Sequence, residues 1–242
     1  MTGRNLVAMV VVVLCLTGSV GVARASAEPA PWGTATVRGD ISACADAATP
    51  MDNVVCAVAL TRRWLEHTGH ASVVRRTVEV SNPAAGLTWN PRNRDICVYA
   101  ELGTLLNVGL HHCDTTTFFN RNTDAALIRT RARAVAAFAH ESSHGVQEAV
   151  GLTPVSTTIF GPVEDLRRLE LASDCWSGAA WSWYVSSGLL TVADRIEATA
   201  FMYSLRDQAS HGTGVQRGRA FERGIVEGGA ACDEILGRPA YT

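Results

Sequence analysis

The sequence predicts an α+β fold, a small strand region followed by a mainly helical half. Three observations predict it. Short β-rich runs fall before residue 120, runs with helical apolar spacing fill the chain after residue 124, and the 242 residues are 47% hydrophobic but only 18% charged. That composition excludes a disordered chain. The net charge of −2, with all 21 basic residues arginine, supplies no basic stripe and excludes nucleic acid as the expected partner.

Residues 1–25 read as an export segment rather than part of the fold. Arg4 gives a positive start, an apolar run follows from Leu6 to Leu16, and Ala23-Arg24-Ala25 offers a small-x-small cleavage site. The run is short of the about 20 apolar residues of a spanning helix, so a cleaved signal peptide is preferred to an N-terminal membrane anchor. Either places the rest of the chain outside the cytoplasm, secreted in the first case and membrane-associated through this segment in the second. Residues 26–45, rich in Pro, Gly, Ala and Thr, are expected to be a flexible lead-in, and residues 46–242 a single domain.

Within that domain Val54, Val55, Val58, Trp64 and Leu65 recur at helical spacing over 51–67, with Gly69 as a stop. Residues 73–80 alternate and are β-rich, ending before Asn82-Pro83, and 96–99 and 115–119 are further short strand candidates. The stretch 102–110 is ambiguous. A long Ala-rich helix is expected from Asp124 to Val150, ended by Gly151 and Pro154. Another should run over 162–186, a third from the Thr191/Asp194 capping signal to about 209, and a fourth over 216–227.

The seven cysteines are odd in number, but Cys15 lies in the export segment. The remaining six suit up to three disulfides in an oxidising compartment, with about 15 possible connectivities. Pairing of neighbours, Cys44–Cys56 and Cys97–Cys113, would leave Cys175–Cys232 as a long-range staple.

The motif that carries chemistry is His140-Glu141-Ser142-Ser143-His144. Four residues apart on a helix, the two imidazoles lie on one face and can converge on one Zn²⁺, with Glu141 between them as general base. A catalytic zinc needs a third protein ligand. The metzincin extension fails, because Gln147 and Val150 stand where Gly and His are needed, and Glu148 is about 12 Å along the axis from His140. The best candidate is Glu170, in an otherwise apolar helix, with Asp174 one turn on to orient a ligand imidazole. Two carboxylates at i,i+4 repel each other unless a cation faces them; otherwise they would face solvent, with Arg167 as a partner for Glu170. His211, in a Gly-flanked loop, could stabilise charge on a substrate carbonyl. His67, His70, His111 and His112 are unassigned.

Three separate segments together resemble a bacterial family of neutral zinc metallopeptidases, whose members carry HE-x-GHHVQ, ELQADC-aromatic-AG and HGTSAQR blocks. Here the segments read HESSHGVQ at 140–147, LELASDCWSG at 169–178 and HGTGVQR at 211–217, in the same order. The resemblance covers roughly residues 95–235. It implies a zincin-like domain with His140, His144 and Glu170 as zinc ligands, a gluzincin-like set, and Glu141 as general base. Asp174 matches the Asp of the second block, and His211 and Arg217 match the third. Ser143 and Gly145 depart from the family's Gly and His. The expected activity is hydrolysis of a peptide or protein substrate; the alternatives are a zinc hydrolase of a non-peptide amide or ester, or a secreted zinc-binding protein without turnover. No feature of the sequence signals an oligomeric state.

Overall fold

The computed structural model describes residues 34–80, 86–90, 94–99 and 109–242. The expected export segment, 1–25, lies outside the described residues. The architecture is α+β. Four strands, β1 (Thr34–Val37), β2 (Arg76–Val80), β5 (His111–Cys113) and β6 (Thr116–Phe119), form a mixed sheet in the order β1-β2-β6-β5. β2 and β6 pair in parallel, and the two outer pairings are antiparallel. A separate antiparallel hairpin joins β3 (Gly86–Asn90) to β4 (Asp95–Tyr99). Seven helices are described: α1 (Pro50–His67), α2 (Arg131–Ala149), α3 (Pro154–Phe160), α4 (Val163–Ser186), α5 (Val192–Ser204), α6 (Gly214–Glu227) and α7 (Gly229–Leu236).

Three expectations shift at their boundaries. The lead-in is ordered from Thr34, because β1 adds an edge to β2 and Asp40 caps a 3-10 turn over Ile41–Cys44. The long helix starts at Arg131 rather than Asp124. The Asp124 carboxylate accepts from the Asn120 amide at 2.8 Å and closes a turn, and Thr130 is the N-cap. The third helix of the second half ends at Ser204 rather than near 209, because Gln208 and Gly212 pair in a short antiparallel bridge.

The core lies where α1, α2 and α4 meet. Trp64 of α1 packs 4.9 Å from Trp176 of α4, and Trp176 stacks on Tyr241 at 4.9 Å, so the last residues of the chain fold back onto the central helix. α4 and α6 approach with their backbones nearly touching, at Gly178 and Gly224. A Cβ on Gly178 would lie 1.9 Å from the Phe221 carbonyl oxygen, and one on Gly224 would lie 1.8 Å from that of Cys175. Only glycine permits this crossing, which sets α6 against the face of α4 that carries Asp174.

The three disulfides pair as expected, Cys44–Cys56, Cys97–Cys113 and Cys175–Cys232. They join the 3-10 turn to α1, β4 to β5, and α4 to α7, and mark a protein of an oxidising environment. Among the described residues no helix is long and apolar enough to cross a membrane.

Candidate metal centre

α2 carries His140, Glu141 and His144 in its buried middle, where Ala134, Val135, Ala136, Phe138, Ala139 and Val146 hold it in the core. Helical periodicity puts the two imidazoles one turn apart, with ring centroids 5.1 Å apart. His140, Glu141 and His144 each offer a ligand atom, all within 4.8 Å of one another, a group that could hold a metal ion.

α4 crosses α2 and presents Glu170 and Asp174 to the same spot. Both are buried, so the alternative that they face solvent does not hold. Glu170 Oε2 lies 3.1 Å from His140 Nε2, 3.8 Å from His144 Nε2 and 3.2 Å from His211 Nε2. Arg167 is not its partner; its guanidinium donates twice to the Ala209 carbonyl, at 3.1 and 2.9 Å. Burial would raise the Glu170 carboxyl, but His144, His140 and His211 hold it well below the usual carboxylate range.

Asp174 meets the first histidine. Its Oδ1 accepts from His140 Nδ1 at 2.8 Å. Arg217, near the start of α6, clamps the same carboxylate through two bonds of 2.8 Å, Nε to Oδ2 and Nη2 to Oδ1. Burial alone would depress the His140 pKa; Asp174 and then Glu170 outweigh it and hold the ring at about 10. Burial lowers those of His144 and His211, so both rings are neutral donors at neutral pH.

Burial pushes the Glu141 carboxyl up to about 8; His140 opposes the shift, while Glu170 and Asp124 add to it.

Two participants were not evident in the sequence. Gln147 is fully buried and its Oε1 accepts from His144 Nδ1 at 3.0 Å, giving the second histidine its own orienting partner. Its amide nitrogen lies 2.7 Å from Tyr241 Oη and 3.0 Å from the Leu169 carbonyl oxygen, so the chain terminus steadies the site. The i,i+3 spacing of His144 and Gln147 was a usable signal; nothing local marked Tyr241. Ser143 Oγ also meets Tyr241 Oη, at 2.6 Å. A Cβ on Gly145 would lie 2.9 Å from His112 Nε2, so glycine here lets β5 pack closely against α2.

The donor set fits zinc. Imidazole nitrogen and carboxylate oxygen are its common non-thiolate ligands, and both helix histidines carry the oxygen partner on Nδ1 that metal-ligating imidazoles use.

No protein-family model, curated protein or solved structure matches this chain.

Proposed function

We propose that the protein is a secreted zinc-dependent peptidase with a zincin-like catalytic domain, as the resemblance to the neutral zinc metallopeptidases implies. The observation that carries the reading is the convergence of His140 and His144 from α2 and Glu170 from α4 on one buried point, with Glu141 beside it. His140, His144 and Glu170 would hold the ion. Zinc supplies Lewis acidity, which makes a water molecule a nucleophile near neutral pH and polarises a carbonyl.

The chain's own residues divide the rest of the work. Glu141 accepts a proton from the attacking water as the C–O bond forms, and returns it to the amine nitrogen as the C–N bond breaks. Asp174, fixed by Arg217, and Gln147, fixed by Tyr241, keep the Nε2 atoms of His140 and His144 facing inward. The three disulfides support an extracytoplasmic location and the secreted reading.

Glu141→Gln tests the scheme. The variant should bind one equivalent of zinc like the wild type and lose hydrolysis of a peptide library by about 100- to 10,000-fold. Undiminished peptide cleavage by that variant overturns the mechanism. Hydrolysis of esters or non-peptide amides by the wild type, without cleavage of any peptide, would redirect the substrate class and keep the zinc chemistry.

A further inference from the structure

We infer that His211 is a fourth protein ligand of the metal, so that the resting centre is closed by His140, His144, Glu170 and His211. The inference rests on the metal reading above and changes the place of His211 within it, from substrate contact to the coordination sphere.

The first ground is distance. Ligands around a tetrahedral zinc, each about 2.0–2.1 Å from the ion, stand about 3.3–3.4 Å from one another. Glu170 Oε2 is 3.1, 3.8 and 3.2 Å from the Nε2 atoms of His140, His144 and His211. His211 thus stands from Glu170 at this spacing, as the two helix histidines do.

The second ground is how each ring is held. Nδ1 of His140 meets Asp174 Oδ1 at 2.8 Å, Nδ1 of His144 meets Gln147 Oε1 at 3.0 Å, and Nδ1 of His211 meets Ser210 Oγ at 2.9 Å. In each ring one nitrogen is engaged by an oxygen and the other faces the shared point, the arrangement that fixes a ligating tautomer.

The third ground is the loop. Gln208 and Gly212 exchange both backbone bonds, at 3.0 and 2.7 Å, and close a tight hairpin with His211 inside it. Gly212 makes the turn with φ of 87°, a left-handed conformation that suits glycine. Arg167 reaches from α4 to the Ala209 carbonyl, and Gly214 N donates to Asp207 Oδ1 at 2.9 Å. The hairpin is therefore tied at both sides to the helices that carry Glu170 and Arg217.

His211 differs from the others in access. Its side chain is 33% exposed, against 8% for His140 and 9% for His144. It closes the centre from the solvent side, in the position that catalytic zinc sites leave open for water or substrate. The attacking water of the proposed hydrolysis would then reach the ion only where His211 gives way on this side.

The test uses the purified protein loaded with Co²⁺, whose visible spectrum reports coordination, together with Zn²⁺ affinity by competition with a chromophoric chelator. His211→Ala and His211→Gln should each still hold one equivalent of metal, with affinity lower by at least about tenfold, an altered Co²⁺ spectrum and a new response to added azide. His211→Cys should place a thiolate on the metal and give a Co²⁺–sulfur charge-transfer band in the near ultraviolet. Unchanged spectra and affinity in the Ala and Gln variants, without that band in the Cys variant, overturn the inference and leave His211 as a substrate contact. A wild type that binds neither ion, or that binds them no better than His140→Ala, overturns the metal reading itself and this inference with it.

Discussion

Glu170 is the residue on which the centre turns. A buried carboxylate without a counter-charge costs several kcal/mol, and here three imidazoles are gathered around one of its oxygens. Glu170→Ala removes both a ligand and the charge that balances the ion. We expect its zinc affinity to fall by more than about a hundredfold, beyond the roughly 10–100-fold lost with an orienting partner. Asp174→Asn should fall within that smaller range, since it weakens the anchor of His140 Nδ1 and the clamp from Arg217 but removes no ligand. Chelator competition on the two variants checks the order; undiminished zinc binding by Glu170→Ala would remove Glu170 from the ligand set. That residue was legible in the sequence because a charged position stood out against Leu166, Leu169, Leu171 and Ala172. Gln147 was harder to find, because a glutamine on a helix near a motif is ordinary until its amide is seen among buried partners with none of them solvent.

At the scale of elements, the centre depends on how α4 sits between α2 and α6. α2 supplies the histidines and α4 the carboxylates, while α6 brings Arg217 onto Asp174. The approach of α4 to α6 is set by Gly178 and Gly224, so Gly224→Ala must push two backbones apart. Overpacking of this kind costs about 1–3 kcal/mol, and at about 2–4 °C per kcal/mol for a domain of this size the thermal midpoint should fall by several degrees. Because the same separation draws Arg217 from Asp174, zinc affinity should fall with it. Scanning calorimetry and metal competition on one variant test both; a midpoint and affinity equal to wild type would sink this account of the crossing. The helices themselves were readable from apolar spacing and caps, as at Thr191 and Asp194, where the full capping box forms. Their ends were less so: α2 begins at Arg131 because Thr130 caps it, a choice made by the turn around Asp124 rather than by helix propensity.

At the scale of the whole molecule, the disulfides hold together parts that are distant in sequence. Cys175–Cys232 spans 57 residues and locks α4 to α7, beside the terminal segment whose Tyr241 steadies Gln147. Loop-closure entropy predicts about 4 kcal/mol for a loop of that length and about 3 kcal/mol for the 12-residue separation of Cys44–Cys56. Paired serine substitutions at Cys175 and Cys232 should therefore lower the midpoint of denaturant unfolding more than the same change at Cys44 and Cys56. The reverse order would show that native contacts, and not chain entropy, dominate the longer link.

The sequence by itself determined the α+β class, the helical half, the even set of six cysteines and the HExxH face, since each depends on local spacing or on counting. It also singled out Glu170, Asp174 and His211, though as separate features on separate segments. Tertiary structure decided what those features do together. β1 becomes a strand only because β2 lies beside it, and Arg217 acquires a partner only because two glycines let α6 close on α4. Tyr241 reaches the centre only because the chain end folds back on Trp176. The physical reason is range: periodicity and capping act within a few residues, whereas the centre is assembled from side chains as far apart in the chain as His140 and Tyr241.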